Sequence, residues 1–325
     1  MSDTAQPFVF CHQLDGDGGS KILDKAGLDA WKPADGPLWV HLDIGDAEAR
    51  RWLKQRRKLP NAAKDFLLAQ ETRPRSVALE QGLMIVLRGV NTNPGEDPED
   101  MVAVRIWVDA DRIISSRRRR LLSVIDVNDS LKATKGPRTH SEILLRIVER
   151  MGDRIGEFID VLEARLDDIE DEARSGQPTN FLPKLSILRR QIASVRRFLS
   201  PQREALDRLS RHSLALLGET LTQELHQEAD RMTRYLEDLD LARERAVVMH
   251  EELLSRIAQE QNDRMYVLSI VAAIFLPLSF VTGLLGMNVG GLPGVDSQLG
   301  FAGSVVVMVV VAVGLIAYFR GRKWL

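Results

Sequence analysis

Two long charge-free runs near the C-terminus constrain this sequence most. They are MYVLSIVAAIFLPLSFVTGLLG (265–286) and FAGSVVVMVVVAVGLIAYF (301–319). Each run is about 20 residues long, the length that a helix needs to cross the hydrocarbon core of a bilayer. Buried helices of soluble proteins usually keep a polar face over such a length. The sequence therefore predicts two transmembrane helices.

The charges that flank these runs predict their orientation. Arg264 precedes the first run and RGRK (320–323) follows the second, whereas residues 287–300 between them contain no Lys or Arg. Basic residues favour the cytoplasmic side of a membrane. We therefore expect both termini in the cytoplasm, with residues 320–325 as a basic cytoplasmic tail and residues 287–300 as an outer, periplasmic loop.

Residues 1–135 have the pattern of a cytoplasmic α/β domain. Segments 36–44, 76–90 and 101–116 are rich in β-branched and aromatic residues and predict strands. Two helical patterns, DAEARRWLKQRRK and NAAKDFLLAQE, lie between the first two strand segments. The sequence therefore predicts helices packed on a sheet.

Residues 136–264 have a helical period. Thr139 and Glu142 fit a capping box, and Ser200 followed by Pro201 predicts a new helix start. Buried positions are predicted at Ile143, Ile147, Met151, Ile155, Ile159, Leu162, Leu166 and Ile169, and later at Leu225, Ala229, Met232, Leu236, Leu239, Ala246, Leu253 and Ile257. From about residue 220 nothing interrupts the pattern before residue 286, which predicts one stalk helix on the order of 100 Å long.

Composition excludes several classes of function. A formal net charge of -2 gives no electrostatic reason to expect a nucleic-acid partner, and the single Cys11 excludes an internal disulfide framework. The sequence contains no P-loop, GxSxG or HExxH motif, so we expect neither an enzyme nor a bound cofactor. A membrane-anchored signalling or scaffolding protein is an alternative, although residues 287–300 are too few for an outer sensor domain.

Transport through two helices per chain requires several subunits around one axis. One comparatively small face of the first span would then line the pore; it comprises Met265, Leu268, Ala272, Leu276, Ser279 and Gly283. Met265 and Leu268 would form apolar constrictions at the inner end, where a pore can close by dewetting. The span 265–286 is therefore predicted to line the pore, and the span 301–319 is predicted as a second transmembrane helix.

Asn288 follows the pore-lining span in the uncharged stretch GLLGMNVGGLPG (283–294). Repeated by symmetry, its amide would form a neutral polar ring that suits a hydrated dication. Alternatively, Asn288 only caps the C-terminal end of the helix. The residues themselves leave both interpretations open.

The tripeptide GMN (286–288) carries a family resemblance. Preceded by IFLPLSFVTGLLG and followed by a second span that ends in YFRGRKWL, it resembles the CorA family of divalent-cation transporters. The resemblance implies an α+β membrane protein that forms a homopentamer in a bacterial inner membrane, with a cytoplasmic funnel. It also implies that the first span lines the pore and that Gly286, Met287 and Asn288 recognise the ion at the outer entrance.

Within that family, GMNVGGLPG is similar to the ZntB branch, which is associated with zinc. Magnesium-type members usually carry an acidic MPE-like loop after GMN, whereas here VGGLPG follows and Asp296 is the only charge in the loop. We therefore expect transport of Zn²⁺, with proton linkage and the direction of flux left open. The alternative is a CorA-type channel for Mg²⁺, Co²⁺ or Ni²⁺.

The predicted pore contains no Cys, His, Asp or Glu, the ligands that a dehydrated Zn²⁺ prefers. Zinc should therefore pass largely hydrated. Possible metal or proton sites in the funnel are the pair His226 and Asp230, and the neighbours His250 and Glu251. Each of these is also explained as an ordinary solvated side chain of the stalk.

Overall fold

The computed structural model describes residues 7–56, 58–70, 73–175, 181–212, 214–287 and 299–322. The chain divides into two compact units, Met1–His250 and Glu251–Leu325. The helix that contains the first apolar run begins in the first unit and ends in the second.

Seven strands form one sheet within the described residues. They are β1 (Phe10–Leu14), β2 (Ser20–Ile22), β3 (Leu38–Asp43), β4 (Arg75–Leu79), β5 (Gly82–Gly89), β6 (Val102–Val108) and β7 (Arg112–Arg117). The order is β2-β1-β3-β7-β6-β5-β4, and every neighbouring pair is antiparallel except β3 and β7. The three predicted strand segments are confirmed, but segments 76–90 and 101–116 each contain a hairpin of two strands. The prediction missed β1 and β2.

Short helices cover one face of the sheet: α1 (Lys25–Ala30), a 3-10 turn (Pro33–Asp35), α2 (Ala47–Gln55) and α3 (Asn61–Leu68). Asp46 caps α2 by accepting a hydrogen bond from Glu48 N at 3.0 Å. Val86, Trp107 and Ile114 of the sheet pack in one core cluster with these helices. Both predicted helices in this part are therefore present.

The opposite face of the sheet is covered by α4 (Leu122–Lys132), α5 (His140–Ser175) and α6 (Leu182–His212). Helix α4 was not predicted. All eight positions that the sequence placed in the buried stripe of α5 are buried. Thr139 caps α5 by accepting a hydrogen bond from Glu142 N at 3.1 Å, whereas the Glu142 carboxylate accepts from Arg138 N rather than from Thr139 N. The capping box is therefore half formed.

The predicted helix start at Ser200 and Pro201 is wrong. Helix α6 continues through Pro201 to His212. A proline inside a helix removes one hydrogen bond and costs about 3 kcal/mol, but tertiary contacts hold this turn on the sheet. Ser76 Oγ donates to Ala205 O at 2.7 Å, and Gln202 Oε1 accepts from Arg88 N at 2.7 Å.

After the short helix α7 (Leu214–Leu217), helix α8 runs from Glu219 to Leu285 as one element of 67 residues, and α9 runs from Gly300 to Gly321. The predicted long helix and second apolar helix are thus present. Within the described residues these are the two helices long and apolar enough to cross a membrane. Of the predicted buried stripe on α8, Leu225, Ala229, Met232, Leu239, Ala246 and Leu253 are buried, and Leu236 and Ile257 are half-buried.

Candidate ion-conducting site

The apolar segment of α8 has two distinct sides in the unit Glu251–Leu325. A half-buried stripe consists of Ile270, Ala273, Ile274, Pro277, Leu278 and Val281. On α9 the less exposed stripe consists of Ser304, Met308, Val311, Ala312, Leu315 and Phe319. Both sets recur at spacings of three and four residues, so each occupies one side of its helix. These stripes indicate where the two helices face each other.

The six residues that the sequence predicted to line a pore all lie on the other side of α8. Met265, Leu268, Ala272, Leu276, Ser279 and Gly283 are exposed in the single chain. Leu276 is 73% exposed, and an added Cβ at Gly283 would meet nothing within 4 Å. At 100° per residue this side is centred roughly 165° from the half-buried stripe. It is therefore available to another copy of the chain, to water or to lipid.

Among these six residues, Ser279 supplies the one side-chain hydroxyl. The hydroxyls of Ser269 and Thr282 bond to their own helix, because Ser269 Oγ donates to Met265 O at 2.8 Å and Thr282 Oγ1 donates to Ser279 O at 3.0 Å. Such bonds satisfy a hydroxyl within a helix. Ser279 is therefore the candidate side chain for contact with the water of a permeating ion.

Pro277 lies inside this segment. A proline can be read directly from the sequence, but the sequence prediction gave this one no role. Its ring nitrogen cannot donate a hydrogen bond, so the carbonyl of Ala273 one turn earlier lacks its usual helical partner. Both residues belong to the half-buried stripe. The helical defect is therefore turned away from the exposed side.

The helix ends where the predicted recognition motif begins. Helix α8 stops at Leu285, and Gly286 N still donates to Thr282 O at 2.9 Å. Met287 is 51% exposed. Asn288 and Asp296 lie outside the described residues, so their predicted roles stay predictions.

The four residues predicted as possible metal or proton sites all lie on α8. His226, Asp230 and Glu251 are exposed, whereas His250 is half-buried and its Nδ1 has no hydrogen-bond partner in the described part of the chain. Residues 7–56, 58–70, 73–175, 181–212, 214–287 and 299–322 contain no group of three His, Cys, Asp or Glu that could hold a metal ion.

Two acidic positions on the helices were not singled out by the sequence prediction. Burial raises the pKa of Glu228 on α8, and Glu149 and Asp153 add to the rise while Arg231 opposes it. Burial also raises the pKa of Glu163 on α5, with Asp238 and Asp160 acting in the same direction. Residue type alone could not reveal these shifts, because they depend on packing between α5 and α8.

The sequence of this chain matches a known protein family over almost its whole length. The family described as "CorA-like Mg2+ transporter protein" matches residues 34–322. The chain belongs to this family. It is therefore a divalent-cation transporter of the CorA type, and the predicted fold of an α/β domain, a long helix and two C-terminal apolar helices is confirmed. Members of the family are transporters, in agreement with the expectation that the chain is not an enzyme.

Two relatives illustrate the range of the family. The chain is 39% identical over 322 residues to the divalent cation transporter CmaX of Pseudomonas aeruginosa, with 98% of this chain and 96% of the relative covered. It is 34% identical over 317 residues to the zinc transport protein ZntB of Yersinia enterocolitica, with the same shares covered. The names of these relatives support divalent-cation transport and differ in the cation that they specify.

Solved structures agree with the fold. The structure of full-length CmaX superposes with a TM-score of 0.86 at 37% identity and covers 99% of this chain and 100% of that one. The CorA magnesium transporter from Methanocaldococcus jannaschii superposes with a TM-score of 0.82 and covers 98% and 99% of the two chains. At 18% identity the second likeness shows the fold alone.

Proposed function

We propose that the chain forms a homopentamer that transports divalent cations, Zn²⁺ foremost, through a central pore lined by α8. The observation that carries the proposal is the exposed side of α8 from Met265 to Gly283, which lies opposite the stripe facing α9. One chain cannot enclose an aqueous path with two helices, so symmetric copies must supply the remaining wall. Helix α9 then contacts lipid around the ring of α8 helices.

The ion passes this pore with most of its water. The exposed side of α8 offers one hydroxyl, one thioether and aliphatic carbon, and these groups cannot replace the first hydration shell of a dication. Gly286, Met287 and Asn288 recognise the hydrated ion at the outer entrance through backbone and amide groups. Met265 and Leu268 form the apolar constriction at the inner end.

Zinc is favoured by two observations. Relatives that are 33–34% identical over 98% of this chain are named zinc transport protein ZntB. Asp296 is the only charge between Met287 and Gly300, so no acidic cluster attracts Mg²⁺ at the entrance. The alternative is a CorA-type channel for Mg²⁺, Co²⁺ or Ni²⁺, supported by the relative whose name specifies only a divalent cation.

We place the protein in a bacterial inner membrane with both termini in the cytoplasm. Arg264 precedes the apolar segment of α8, and Arg320 and Arg322 end α9. Arg264 is exposed and pairs only loosely with Glu260 at 3.8 Å, so its charge is available to a lipid surface. The predicted segments 1–135, 136–264 and 320–325 are then cytoplasmic, and residues 287–300 face the periplasm.

The test is metal flux into liposomes that contain the purified protein. Zn²⁺, Mg²⁺, Co²⁺ and Ni²⁺ are compared, with the pH gradient and the voltage varied separately. Saturable Zn²⁺ flux above that of protein-free liposomes supports the proposal, and its dependence on the pH gradient measures proton linkage. Flux of Mg²⁺ without flux of Zn²⁺ supports the alternative. Absence of flux for all four ions contradicts transport.

The oligomeric state is tested by mass measurement of the same preparation in detergent. A pentamer of the 36.5 kDa chain is expected. A stable monomer or dimer that still transports metal would contradict a pore built from symmetric α8 helices.

A further inference from the structure

The C-terminal end of α9 carries two arginines that lie on the surface. Arg320 belongs to the last turn of the helix, and Arg322 is its C-cap residue. Both side chains are exposed, and neither forms an ion pair within the described residues. Helix α9 contains no Asp or Glu from Gly300 to Gly321. The helix itself therefore does not neutralise the positive charge at this end.

The neighbouring end of the apolar segment of α8 is not the source of this excess. Arg264 lies there within 3.8 Å of Glu260, and the adjacent Asp263 accepts a hydrogen bond from Gln259 Nε2 at 3.0 Å. This turn of α8 thus holds one cation against two carboxylates. The excess of positive charge belongs to the end of α9.

The dipole of α9 offsets only a part of this charge. The free carbonyls at the C-terminus of a helix are equivalent to about half a negative charge. Two guanidinium groups carry two positive charges, and the Tyr318 carbonyl already accepts a hydrogen bond from Arg322 N at 3.1 Å. More than one positive charge is therefore available to an anionic partner.

The positions of these side chains suit the surface of a bilayer. Tyr318 is 59% exposed, and the guanidinium carbon of Arg322 lies 5.9 Å from the centroid of its ring. At 100° per residue, Arg320 lies about 130° from the centre of the half-buried side of α9, so it is turned away from the side that faces α8. Tyrosine and arginine at the end of an apolar helix are typical of the headgroup region of a membrane.

We propose that the C-terminal end of α9 binds the headgroup phosphate of an anionic phospholipid. Arg320 and Arg322 supply the positive charge, and the planar fork of a guanidinium matches two oxygens of a phosphate. The inference rests on the proposed position of α9 in a membrane, and it goes beyond transport because the ligand is an anion rather than the transported cation.

The test uses Trp324 as a reporter, because it follows Arg322 by two residues and the four other tryptophans lie at positions 31, 39, 52 and 107. Full-length protein is reconstituted in phosphatidylcholine liposomes with a minor fraction of acyl-brominated lipid, which quenches tryptophan on contact. We expect brominated phosphatidylglycerol to quench about twofold more than brominated phosphatidylcholine at the same fraction. Trp324→Phe should remove this difference.

Variants locate the interaction. Arg320→Gln combined with Arg322→Gln should remove about half of the difference or more, whereas lysine at both positions keeps the charge and should retain most of it. Arg243→Gln is the matched control, because Arg243 is an exposed arginine on the part of α8 before His250 and has no ion pair within the described residues.

Equal quenching by the two brominated lipids in the wild type would overturn the proposal, and so would an unchanged difference in the double glutamine variant. Loss of the difference in inorganic phosphate, but not in sodium chloride of equal ionic strength, would assign the site to the free anion and contradict lipid binding. Quenching of Trp324 by neither lipid would contradict the position of α9 in the membrane, and this inference with it.

Discussion

Gly156 of α5 lies directly against the Tyr235 hydroxyl of α8, and a Cβ at position 156 would overlap that oxygen. Tyr235 is held in place because its hydroxyl accepts a hydrogen bond from Arg231 Nε at 2.8 Å, and Arg231 also pairs with Asp153 at 2.8 Å. One turn earlier, a Cβ at Gly152 would approach the Glu228 carboxylate within 2.7 Å. Two glycines one turn apart thus allow α5 and α8 to pack closely.

We therefore expect Gly156→Ala to destabilise the protein. Overpacking a filled site typically costs about 1–3 kcal/mol, although alanine favours a helix over glycine by about 1 kcal/mol. Thermal unfolding in detergent measures the net effect. Ala164→Ser on an exposed turn of the same helix is the control and should change stability little. A higher melting temperature for Gly156→Ala would show that α8 does not pack on this glycine.

The second prediction concerns acid stability and depends on His41. This residue is fully buried on β3, its Nδ1 lies 2.7 Å from Ser115 Oγ, and its ring stacks on Phe10. Burial, with a smaller contribution from the charge of Arg117, lowers the pKa of His41 to about 3. The unfolded chain therefore binds a proton at this residue between pH 6.5 and about 3, while the folded protein does not.

The free energy of unfolding is therefore not reduced by His41 above pH 6.5, and it decreases as the pH falls from 6.5 toward 3. Between pH 7.5 and 5 the loss is on the order of 2 kcal/mol. In His41→Gln, which cannot titrate, we expect stability to fall less steeply with acid, from a lower starting value. His226→Gln, which removes an exposed histidine, is the control variant. The account would be contradicted if the free energies of unfolding of His41→Gln and of the wild type decreased equally steeply with falling pH.

The third prediction concerns Asn288 at the proposed outer entrance. Asn288→Ala removes the amide and should lower Zn²⁺ flux at least tenfold without changing the mass of the assembled protein. Gln298→Ala removes another neutral amide from the same loop and should have little effect. Near-normal flux through assembled Asn288→Ala would leave the residue with a role in capping the helix alone.

The fourth prediction separates recognition of the hydrated ion from direct binding. An exchange-inert hexaammine cobalt complex mimics a hydrated ion and cannot lose its shell, so it should inhibit Zn²⁺ flux. Discrimination among Zn²⁺, Ni²⁺ and Co²⁺ should be weak, because the exposed side of α8 offers no ligand that these ions prefer. Lack of inhibition, together with exclusion of other dications by orders of magnitude, would require direct ligands, to be sought among His226, Asp230, His250 and Glu251.

Hydrophobic period predicted the helices better than the sheet. The stripe from Ile143 to Ile169 repeats over many turns, so the side of α5 that faces the core is determined locally. Strand β2 has three residues and two of them are exposed, so it leaves almost no alternating pattern. Segments 76–90 and 101–116 were each predicted as one strand segment, although polar residues mark both turns, Glu80 and Gln81 in the first and Asp109 and Asp111 in the second. These turn signals were in the sequence, so the two hairpins could have been predicted from it.

The exposed side of α8 was predicted from spacing, whereas the contacts that surround the soluble helices were not. The predicted helix start at Pro201 is wrong because the sequence does not show that Ser76 and Arg88, more than a hundred residues away, bond to the following turn. The same holds for Gly156, whose role depends on Tyr235 of a different helix. Long-range contacts override local signals at such positions.

The central claim, that the side of α8 containing Ser279 lines an aqueous path, is tested most directly by thiol accessibility in proteoliposomes. Ser279→Cys places a thiol on that side, and Ile274→Cys places one in the half-buried stripe. Native Cys11 should stay silent, because it is buried in the α/β core and burial raises its pKa to about 12.

A positively charged, membrane-impermeant methanethiosulfonate reagent is added, and the mass of the intact chain gives the fraction modified. The account predicts extensive modification at position 279, with an accompanying loss of Zn²⁺ flux, and little modification at position 274. Modification at position 274 without modification at position 279 would contradict it.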